Sequence, residues 1–290
     1  MIKQTFYKDR PAIEIGCDEF SAVFLPEDGA KLASFKTKNG FELLAQREGA
    51  QYLRLDLDGN YEHAECSGFD DMFPAIDPCT VCGREYLDHG EVCRRAHLVQ
   101  TEEEKVHFLC NLPSLHVTFR KTVFAENGAL FMKYSIENHG DADFPYVWAG
   151  HIMFRGEEGM YATSSFPENA PKTIMYGTTE REEILHILPK KGPREYKFYY
   201  KNACTPLQTG VVYPESGVTA NITFDNDVVR YLGLWVNPGD LNGMYNLALE
   251  PCTALYDNPV NAEAAGAASY IKAHDAVTFT MKFTCEVRGM

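Results

Sequence analysis

The stretch Val117-Thr118-Phe119-Arg120-Lys121-Thr122-Val123-Phe124, followed by the pair Asn127-Gly128 and by Leu130-Phe131-Met132-Lys133-Tyr134-Ser135-Ile136-Glu137, decides the fold class. Both runs are rich in the β-branched and aromatic residues that favour strands. Asn-Gly between two such runs is the strongest short signal for a β-hairpin turn. The stretch therefore predicts two antiparallel strands joined by a tight turn.

Strand signals recur along the rest of the chain. They are Ser21 to Pro26 and Lys31 to Thr37 around Asp28-Gly29, Pro145 to Phe154, Val218 to Phe224 and Val228 to Val236 around Asp225 to Asp227, and Ala276 to Val287. Helix signals are scarce, because only Asn261 to Ala268 predicts a helical turn and Gly266 weakens it. This pattern predicts an all-β protein, a sandwich or a barrel, with few short helices. No linker or repeat divides the chain, so we expect one domain over residues 1–290.

Composition and charge exclude several classes of function. The net charge of −14 argues against nucleic acid and against anionic membrane surfaces as partners. Residues 1–10 are too polar for a signal peptide, and no apolar run is long enough to span a bilayer. Nine cysteines are an odd number in a chain without a secretion signal. We therefore expect reduced thiols and a cytoplasmic protein.

One carboxylate near the end of the chain lies among apolar residues, in Leu247-Ala248-Leu249-Glu250-Pro251. An unpaired glutamate at the edge of a core costs free energy, so Glu250 needs a partner or a function. Two histidines beside glycine offer partners, His89 in Asp88-His89-Gly90 and His151 in Gly150-His151-Ile152. The three side chains suit acid–base catalysis. The alternatives are a surface glutamate, a core histidine and a solvated turn histidine.

The region from Asp56 to Arg95 is dense in turn residues and predicts long loops over a cleft. It holds Cys66, Cys79, Cys82 and Cys93, so a zinc site is a rival hypothesis. Only one C-x2-C pair is present, whereas a structural zinc site normally has a second pair or a spaced histidine pair. We expect buried thiols and no metal.

The same region holds Arg84, Arg94 and Arg95, which could bind an anion or sugar hydroxyls. No phosphate-binding loop, dinucleotide fingerprint, H-E-x-x-H helix or G-x-S-x-G elbow occurs. Nucleotide-binding enzymes and the common hydrolases therefore lose support.

Four segments, in this order, resemble the aldose 1-epimerase family, whose fold is called galactose mutarotase-like. They are Gly29 to Phe35 with Asn39 to Leu44, Met72-Phe73-Pro74 with Asp88-His89-Gly90 and Arg94, Tyr134 to Asn138 with Gly150-His151 and Phe154, and Leu249-Glu250-Pro251. Each motif is short, and their order and spacing carry the specificity. Together they cover most of the chain.

The resemblance implies a large antiparallel β-sandwich, a supersandwich, with an open sugar cleft. It implies Glu250 as general base, His151 as general acid and His89 as a substrate-orienting partner. The family's usual arginine before the first histidine has no clear counterpart, so Arg94 or Arg84 is expected to replace it in binding substrate. The family's aspartate between the second histidine and the glutamate also has no recognisable motif, which leaves the sugar unidentified.

We therefore expect interconversion of the α and β anomers of an aldose by acid–base ring opening and closure. This chemistry demands no metal and no cofactor. Trp235 is a candidate platform for the apolar face of a monosaccharide, with core packing as the alternative. The rival functions are a hexose 6-phosphate 1-epimerase and a non-catalytic carbohydrate-binding protein on the same fold. We expect a monomer or a homodimer.

Overall fold

The computed structural model describes residues 1–177 and 195–288. In chain order the strands are β1 (Ile2–Tyr7), β2 (Arg10–Gly16), β3 (Phe20–Leu25), β4 (Lys31–Thr37), β5 (Phe69–Met72), β6 (Cys79–Val81), β7 (Arg84–Tyr86), β8 (Leu98–Glu102), β9 (Lys105–Leu112), β10 (Val117–Glu126), β11 (Ala129–Asn138), β12 (Phe144–Tyr146), β13 (Ala149–Arg155), β14 (Tyr161–Ser164), β15 (Lys172–Tyr176), β16 (Tyr196–Tyr200), β17 (Gln208–Tyr213), β18 (Val218–Phe224), β19 (Tyr231–Pro238), β20 (Tyr245–Cys252), β21 (Ser269–Ile271) and β22 (Ala276–Val287). A 3-10 turn covers Val92–Arg94, and one α-helix, α1, covers Pro259–Ala264.

Most of these strands belong to two large antiparallel sheets. The ten-stranded sheet has the order β1-β2-β3-β4-β5-β13-β20-β19-β16-β15. The eight-stranded sheet has the order β14-β17-β18-β22-β11-β10-β9-β8. Two further hairpin-sized sheets pair β12 with β21 and β6 with β7. The architecture is an antiparallel β-sandwich, as expected from the sequence.

Aromatic side chains from both sheets fill the space between them. Phe35 of β4 stacks on Phe283 of β22 with ring centroids 4.4 Å apart. Phe24 of β3 lies 5.8 Å from Phe108 of β9. Such contacts each add a modest stabilisation beyond the burial of apolar area. They fix one face of the ten-stranded sheet against its neighbour.

The other face of the ten-stranded sheet carries the polar groups of interest. Side chains alternate along a strand, so Leu247 and Leu249 of β20 point into the space between the sheets while Ala248 and Glu250 point away from it. The same alternation on β13 places Ile152 in the core between the sheets. A second, smaller apolar cluster lies on this outer face, where loops cover it.

The predicted hairpin is confirmed, with Phe119 of β10 opposite Ile136 of β11. The predicted single strand Pro145 to Phe154 is wrong, because it divides into β12 and β13. Between them the Val147 N–H donates to the carbonyl of Pro74 and the Trp148 N–H donates to Thr253 Oγ1. These two residues therefore leave both ladders.

Two other predicted boundaries need correction. The strand expected from Val228 begins at Tyr231, because the Val228 N–H is bonded to the side chain of Asn226. The helical turn expected at Asn261 begins two residues earlier, at Pro259, after an Asn258 cap that accepts from the Asn261 N–H. None of the helices in the described ranges is long and apolar enough to cross a membrane.

Candidate active site

A cleft of about 460 Å³ lies on the outer face of the ten-stranded sheet. Its wall combines side chains from central strands with side chains from the loops above them. The lining residues are Tyr61, Glu62, Cys66, Ile76, Asp77, Asp88, His89, His151, Met175, Tyr176, Glu195, Lys197, Trp235, Leu241, Glu250 and Asp257. A cavity of this size accommodates a small polar ligand such as a monosaccharide.

Glu250 and His151 face each other across the neighbouring strands β20 and β13. Register brings them together, because Ile152 pairs with Leu249 in this antiparallel ladder, so His151, one residue before Ile152, lies opposite Glu250, one residue after Leu249. Nε2 of His151 lies 3.6 Å from Oε1 of Glu250, and both side chains are almost fully buried. Within the described ranges, Oε1 of Glu250 and Nδ1 of His151 have no hydrogen-bond partner. Buried polar atoms without partners are uncommon and mark a site that is completed by a ligand or water.

The second oxygen of Glu250 is held by a lysine from two strands away. Lys197 of β16 brings Nζ to 2.8 Å from Oε2 of Glu250 and to 2.6 Å from Oδ1 of Asp257. The hydroxyl of Tyr199 donates to the same Asp257 oxygen at 2.7 Å. Glu250, Lys197, Asp257 and Tyr199 therefore form a buried network, called here the carboxylate–lysine network.

A glycine makes room for this network. Gly233 of β19 pairs with Glu250 in the sheet. A Cβ atom at this position would lie 2.7 Å from the Tyr199 ring and 3.2 Å from Oε2 of Glu250. Such a close approach of side chains to the backbone requires glycine.

Burial and neighbouring charges move the pKa values of the facing pair in opposite directions. Burial raises the pKa of Glu250, and Lys197 opposes that rise. Burial lowers the pKa of His151 well below its usual value, and the nearby side chains of His89 and Lys197 lower that pKa further. For Lys197 burial alone would lower the pKa, but Asp257 and Glu250 raise it well above its usual value. Groups of this kind, clustered in a cleft, are typical of functional sites.

His89 approaches the same space from a loop. Its ring stacks on Tyr61 with centroids 3.9 Å apart and lies 6.0 Å from the ring of His151. The backbone N–H of His89 donates to the carbonyl of Ile76. The hydroxyl of Tyr61 donates to Asp70 Oδ2 at 2.8 Å. The loop therefore holds the imidazole at a fixed position beside the cleft.

Trp235 of β19 forms part of the cleft wall. Its ring centroid lies 5.8 Å from that of His151 with a 36° tilt, and Nε1 donates to Glu195 Oε2 at 3.1 Å. The residue is 5% exposed, so only a small part of the indole is available to a ligand. Its use as a sugar platform stays a prediction.

Arg94, expected to bind substrate, occupies a different place and does not line the cleft. Its guanidinium donates to the backbone carbonyls of Gly90, Asp56, Gly59 and Asp88 at 2.6–2.9 Å. Its donors are therefore used within the protein. Arg94 ties the loop that carries His89 to the loop around Asp56.

The two other arginines considered for anion binding also point elsewhere. Arg84 donates to the carbonyl of Leu115. Arg95 pairs with Glu91 at 2.7 Å. Neither lines the cleft.

The four cysteines of this region are free thiols in different surroundings. Cys66 and Cys93 are buried, whereas Cys82 is exposed at the β6–β7 hairpin and Cys79 is half-buried. Burial raises the pKa of the Cys66 thiol to about 12, which disfavours the thiolate that binds metal. Across residues 1–177 and 195–288 no group of three or more histidine, cysteine or carboxylate side chains is placed to hold a metal ion.

The residues lining the cleft that the sequence analysis did not single out include Lys197, Asp257 and Tyr61. Lys197 lies in the aromatic strand Tyr196–Tyr200, where alternation alone does not distinguish a site lysine from a solvated one. Asp257 precedes Asn258-Pro259, which has the pattern of a helix cap. Tyr61 lies in an irregular loop. The signal that could have found Lys197 is its position as the one lysine of the aromatic strand Tyr196–Tyr200.

The chain matches no protein-family model and no curated protein. Solved structures do match. A candidate aldose 1-epimerase from Klebsiella pneumoniae aligns over 99% of this chain and 83% of its own, with 15% identity and a TM-score of 0.77. A galactose mutarotase-like protein from Clostridium acetobutylicum aligns over 99% and 98%, with 14% identity and a TM-score of 0.72. A galactose mutarotase-like protein from Lactobacillus casei aligns over 95% and 100%, with 18% identity and a TM-score of 0.66.

The structural similarity to these proteins extends over nearly the whole chain, although the sequence identity is low. They show that the chain has the galactose mutarotase-like β-sandwich fold that the sequence motifs implied. A shared fold does not by itself specify a reaction. The activity therefore has to be argued from the cleft.

Proposed function

We propose that this protein interconverts the α and β anomers of a free aldose. The observation that carries the proposal is the facing pair in the cleft. Oε1 of Glu250, which has no hydrogen-bond partner among the described residues, lies 3.6 Å from Nε2 of His151, with space for a monosaccharide beside them. A carboxylate and an imidazole at this separation can serve the two oxygens bonded to one anomeric carbon.

Ring opening needs one group that accepts a proton from the sugar while a second group donates a proton to it. The Glu250 carboxylate takes the proton of the C1 hydroxyl while the His151 imidazolium gives its proton to the ring oxygen. The C1–O5 bond breaks and C1 becomes a carbonyl. After rotation about C1–C2, neutral His151 takes the proton back from the O5 hydroxyl and protonated Glu250 returns its proton to O1. The ring then closes on the opposite face, and both groups end as they began.

The opposite pKa shifts suit this exchange. A raised pKa at Glu250 makes the carboxyl a stronger base, and a lowered pKa at His151 makes the imidazolium a stronger acid. A positioned acid or base contributes typically about 10²- to 10⁴-fold in rate, which suffices for a reaction that also proceeds unaided in water.

The charge of the cleft supports an unphosphorylated sugar over a hexose phosphate. Among the described residues, six carboxylates line it: Glu62, Asp77, Asp88, Glu195, Glu250 and Asp257. The described wall contains one lysine, already paired with two carboxylates, and no arginine. Burial and the neighbouring Asp257 raise the pKa of Asp77, as expected where negative charges crowd. A phosphate dianion would meet repulsion here.

The proposal is tested by the rate of anomer exchange in a free aldose, followed by exchange NMR. Glucose, galactose and glucose 6-phosphate would be compared at equal concentration with and without the protein. We expect acceleration for at least one neutral aldose and little for the phosphate. Acceleration confined to the phosphate would favour the hexose 6-phosphate 1-epimerase. Saturable binding without acceleration would favour a carbohydrate-binding protein.

A further inference from the structure

We infer that Lys197 is a positioning residue that orients the Glu250 carboxylate toward His151 and keeps it ionised, with Asp257 and Tyr199 as its own anchors. The inference deepens the proposed function, since its kinetic consequence rests on Glu250 acting as the base. Lys197 itself need not touch the sugar. Its effect is transmitted through one carboxylate oxygen.

The contacts of Lys197 explain which oxygen of Glu250 is free. Nζ lies 2.8 Å from Oε2, and the Tyr199 hydroxyl lies 3.3 Å from the same atom. Both contacts fall on one side of the carboxylate, which leaves Oε1 turned to His151. Charge-assisted bonds of this length restrict rotation of the acceptor. Without Lys197 the carboxyl could turn in its pocket.

The lysine is itself fixed from the other side. Asp257 Oδ1 accepts from Nζ of Lys197 at 2.6 Å and from Tyr199 at 2.7 Å. The Lys197 side chain is 7% exposed and that of Asp257 is 5% exposed. A buried lysine in contact with two carboxylates has few other side-chain conformations open to it. This rigidity is what a supporting residue of a reactive group requires.

Charge gives the second part of the argument. Glu250 and Asp257 each lie within 3 Å of the same ammonium nitrogen, so their carboxylates are close to one another. Two carboxylates sharing one buried site do not both ionise readily unless a cation lies between them. Burial alone favours the protonated form of Glu250, and Lys197 counteracts it. The lysine therefore keeps the base usable near neutral pH.

The test is the pH dependence of kcat/KM for sugar exchange in wild type, Lys197→Met and Lys197→Arg. Loss of an opposite charge at this distance shifts a carboxyl pKa by about 1–3 units. We expect the acid limb of the profile, where kcat/KM falls as Glu250 is protonated, to lie higher in Lys197→Met by about that amount. Lys197→Arg keeps the charge, so its acid limb stays near that of wild type even if its rate is lower.

A purely structural role for Lys197 predicts a different result. The rate of Lys197→Met would then fall equally at every pH, and an unmoved acid limb would overturn the inference. Lys121→Met is the matched control, because it also removes a buried lysine paired with an aspartate but lies between the sheets. We expect its acid limb to coincide with that of wild type.

Two further measurements keep the inference testable. If Lys197→Met does not fold, the double variant Lys197→Met/Asp257→Asn removes the buried anion as well, and its acid limb is still expected above that of wild type. The Glu250 carboxyl can also be titrated by ¹³C NMR without any substrate, and its signal can be assigned by comparison with Glu250→Gln.

A wild-type protein that is inactive on every sugar would defeat the proposed function. An equal titration midpoint in wild type and Lys197→Met would defeat the inference.

Discussion

At the scale of the residue, burial sets the direction in which the pKa values of the facing pair in the cleft, Glu250 and His151, are shifted. Glu250 is 0% exposed and His151 is 4% exposed. Removing charged groups from water favours their neutral forms, so the carboxyl gains and the imidazole loses proton affinity. The carboxylate–lysine network offsets part of that effect at Glu250. The cleft thus holds ionisable groups in surroundings that disfavour their charged forms.

A second buried histidine, outside the cleft, makes stability depend on pH. His97 is 6% exposed, its Nδ1 lies 3.1 Å from the carbonyl of Arg95, and burial together with Lys121 lowers its pKa to about 3. The unfolded chain takes up a proton near pH 6.5, whereas the folded protein does so only near pH 3. The stabilisation from neutral His97 is therefore complete above pH 6.5 and is lost as pH falls toward 3.

His97→Asn should remove this dependence while keeping a donor for the Arg95 carbonyl. Between pH 7 and pH 5 the free energy of unfolding of wild type should fall by about 2 kcal/mol more than that of the variant, at roughly 1.4 kcal/mol per pH unit below 6.5. Urea unfolding at both pH values measures the difference. An equal fall in both proteins would show that His97 is already protonated or exposed in the native state.

Which site residues the sequence could reveal depended on their local surroundings. Glu250 and His151 could be singled out as candidates because each stands among apolar residues or beside glycine, where an ionisable side chain is conspicuous. Lys197 also stands in an aromatic run but was overlooked, and Asp257 gave no local signal, since the contacts that place both residues in the cleft join segments 50–60 residues apart. For Arg94, which was expected to bind substrate, the local sequence was misleading. A basic residue near a motif histidine looks like a ligand contact until its donors are seen bonded to backbone carbonyls.

At the scale of the element, the central strands β13, β20, β19 and β16 set the spacing between the side chains that line the cleft. Side chains two residues apart share a face, and neighbouring strands lie about 4.8 Å apart. One position on each strand then suffices to collect groups from distant parts of the chain. The loop with His89 is fixed less regularly, through Arg94 and through a tight turn at Gly90.

The turn at Gly90 gives a prediction at this scale. Gly90 has φ of +71°, and a Cβ atom there would overlap the carbonyl of Phe73. Gly90→Ala therefore combines backbone strain with a backbone clash, and should lower stability by about 1–3 kcal/mol or more and displace His89. Gly83→Ala is the control, since Gly83 has φ of +76° but nothing within 4 Å of an added Cβ.

Thermal unfolding and the KM for sugar would be measured for both variants. We expect Gly83→Ala to show only the cost of its backbone conformation, with KM unchanged. Gly90→Ala should be less stable than this control and bind sugar more weakly. Equal stability and equal KM in the two variants would mean that the turn does not position His89.

The elements themselves were predictable where local chemistry sets them. The Asn127-Gly128 turn and the period-two pattern of β22 fix strands without help from the rest of the fold. The break between β12 and β13 was not predictable, because Val147 and Trp148 are as β-prone as their neighbours. It arises from hydrogen bonds to Pro74 and Thr253, which come from other segments.

At the scale of the whole molecule, one buried ion pair joins the two sheets. Lys121 of β10 lies 2.7 Å from Asp71 Oδ2 of β5, and both side chains are at most 1% exposed. Lys121 also donates to the carbonyl of Ala30, and Nε1 of Trp148 donates to Asp71 Oδ1 at 3.0 Å. Asp71 and the cleft-side Asp70 are adjacent on β5, so this pair lies directly behind the cleft.

Removing one member of this pair leaves an unpaired buried charge. Lys121→Met should cost about 3–5 kcal/mol, whereas Lys121→Met/Asp71→Asn should recover much of that loss. The surface pair of Lys3 with Glu14, where the lysine is 51% exposed, is the control, and Lys3→Met should cost less than about 1 kcal/mol. Chemical denaturation of the three variants measures the costs. A loss as small as that of Lys3→Met would contradict a joining role for Lys121.

The fold class could be predicted from the strand patterns, and the galactose mutarotase-like fold from four short motifs. The order of strands could not. β5, β13 and β20 are neighbours although they begin at residues 69, 149 and 245. Their adjacency follows from packing between distant segments, for which single-strand patterns contain no information.

The most direct test of the account is the rate of anomer exchange in Glu250→Gln. The account predicts a loss of about 10²-fold or more in kcat/KM with native circular dichroism. Glu42→Gln is the matched control, since Glu42 is also a largely buried carboxyl, bonded to Ser34 and the Phe35 N–H away from the cleft, and should keep its activity. Exchange by Glu250→Gln at the wild-type rate would contradict the role of Glu250 and, with it, the proposed function.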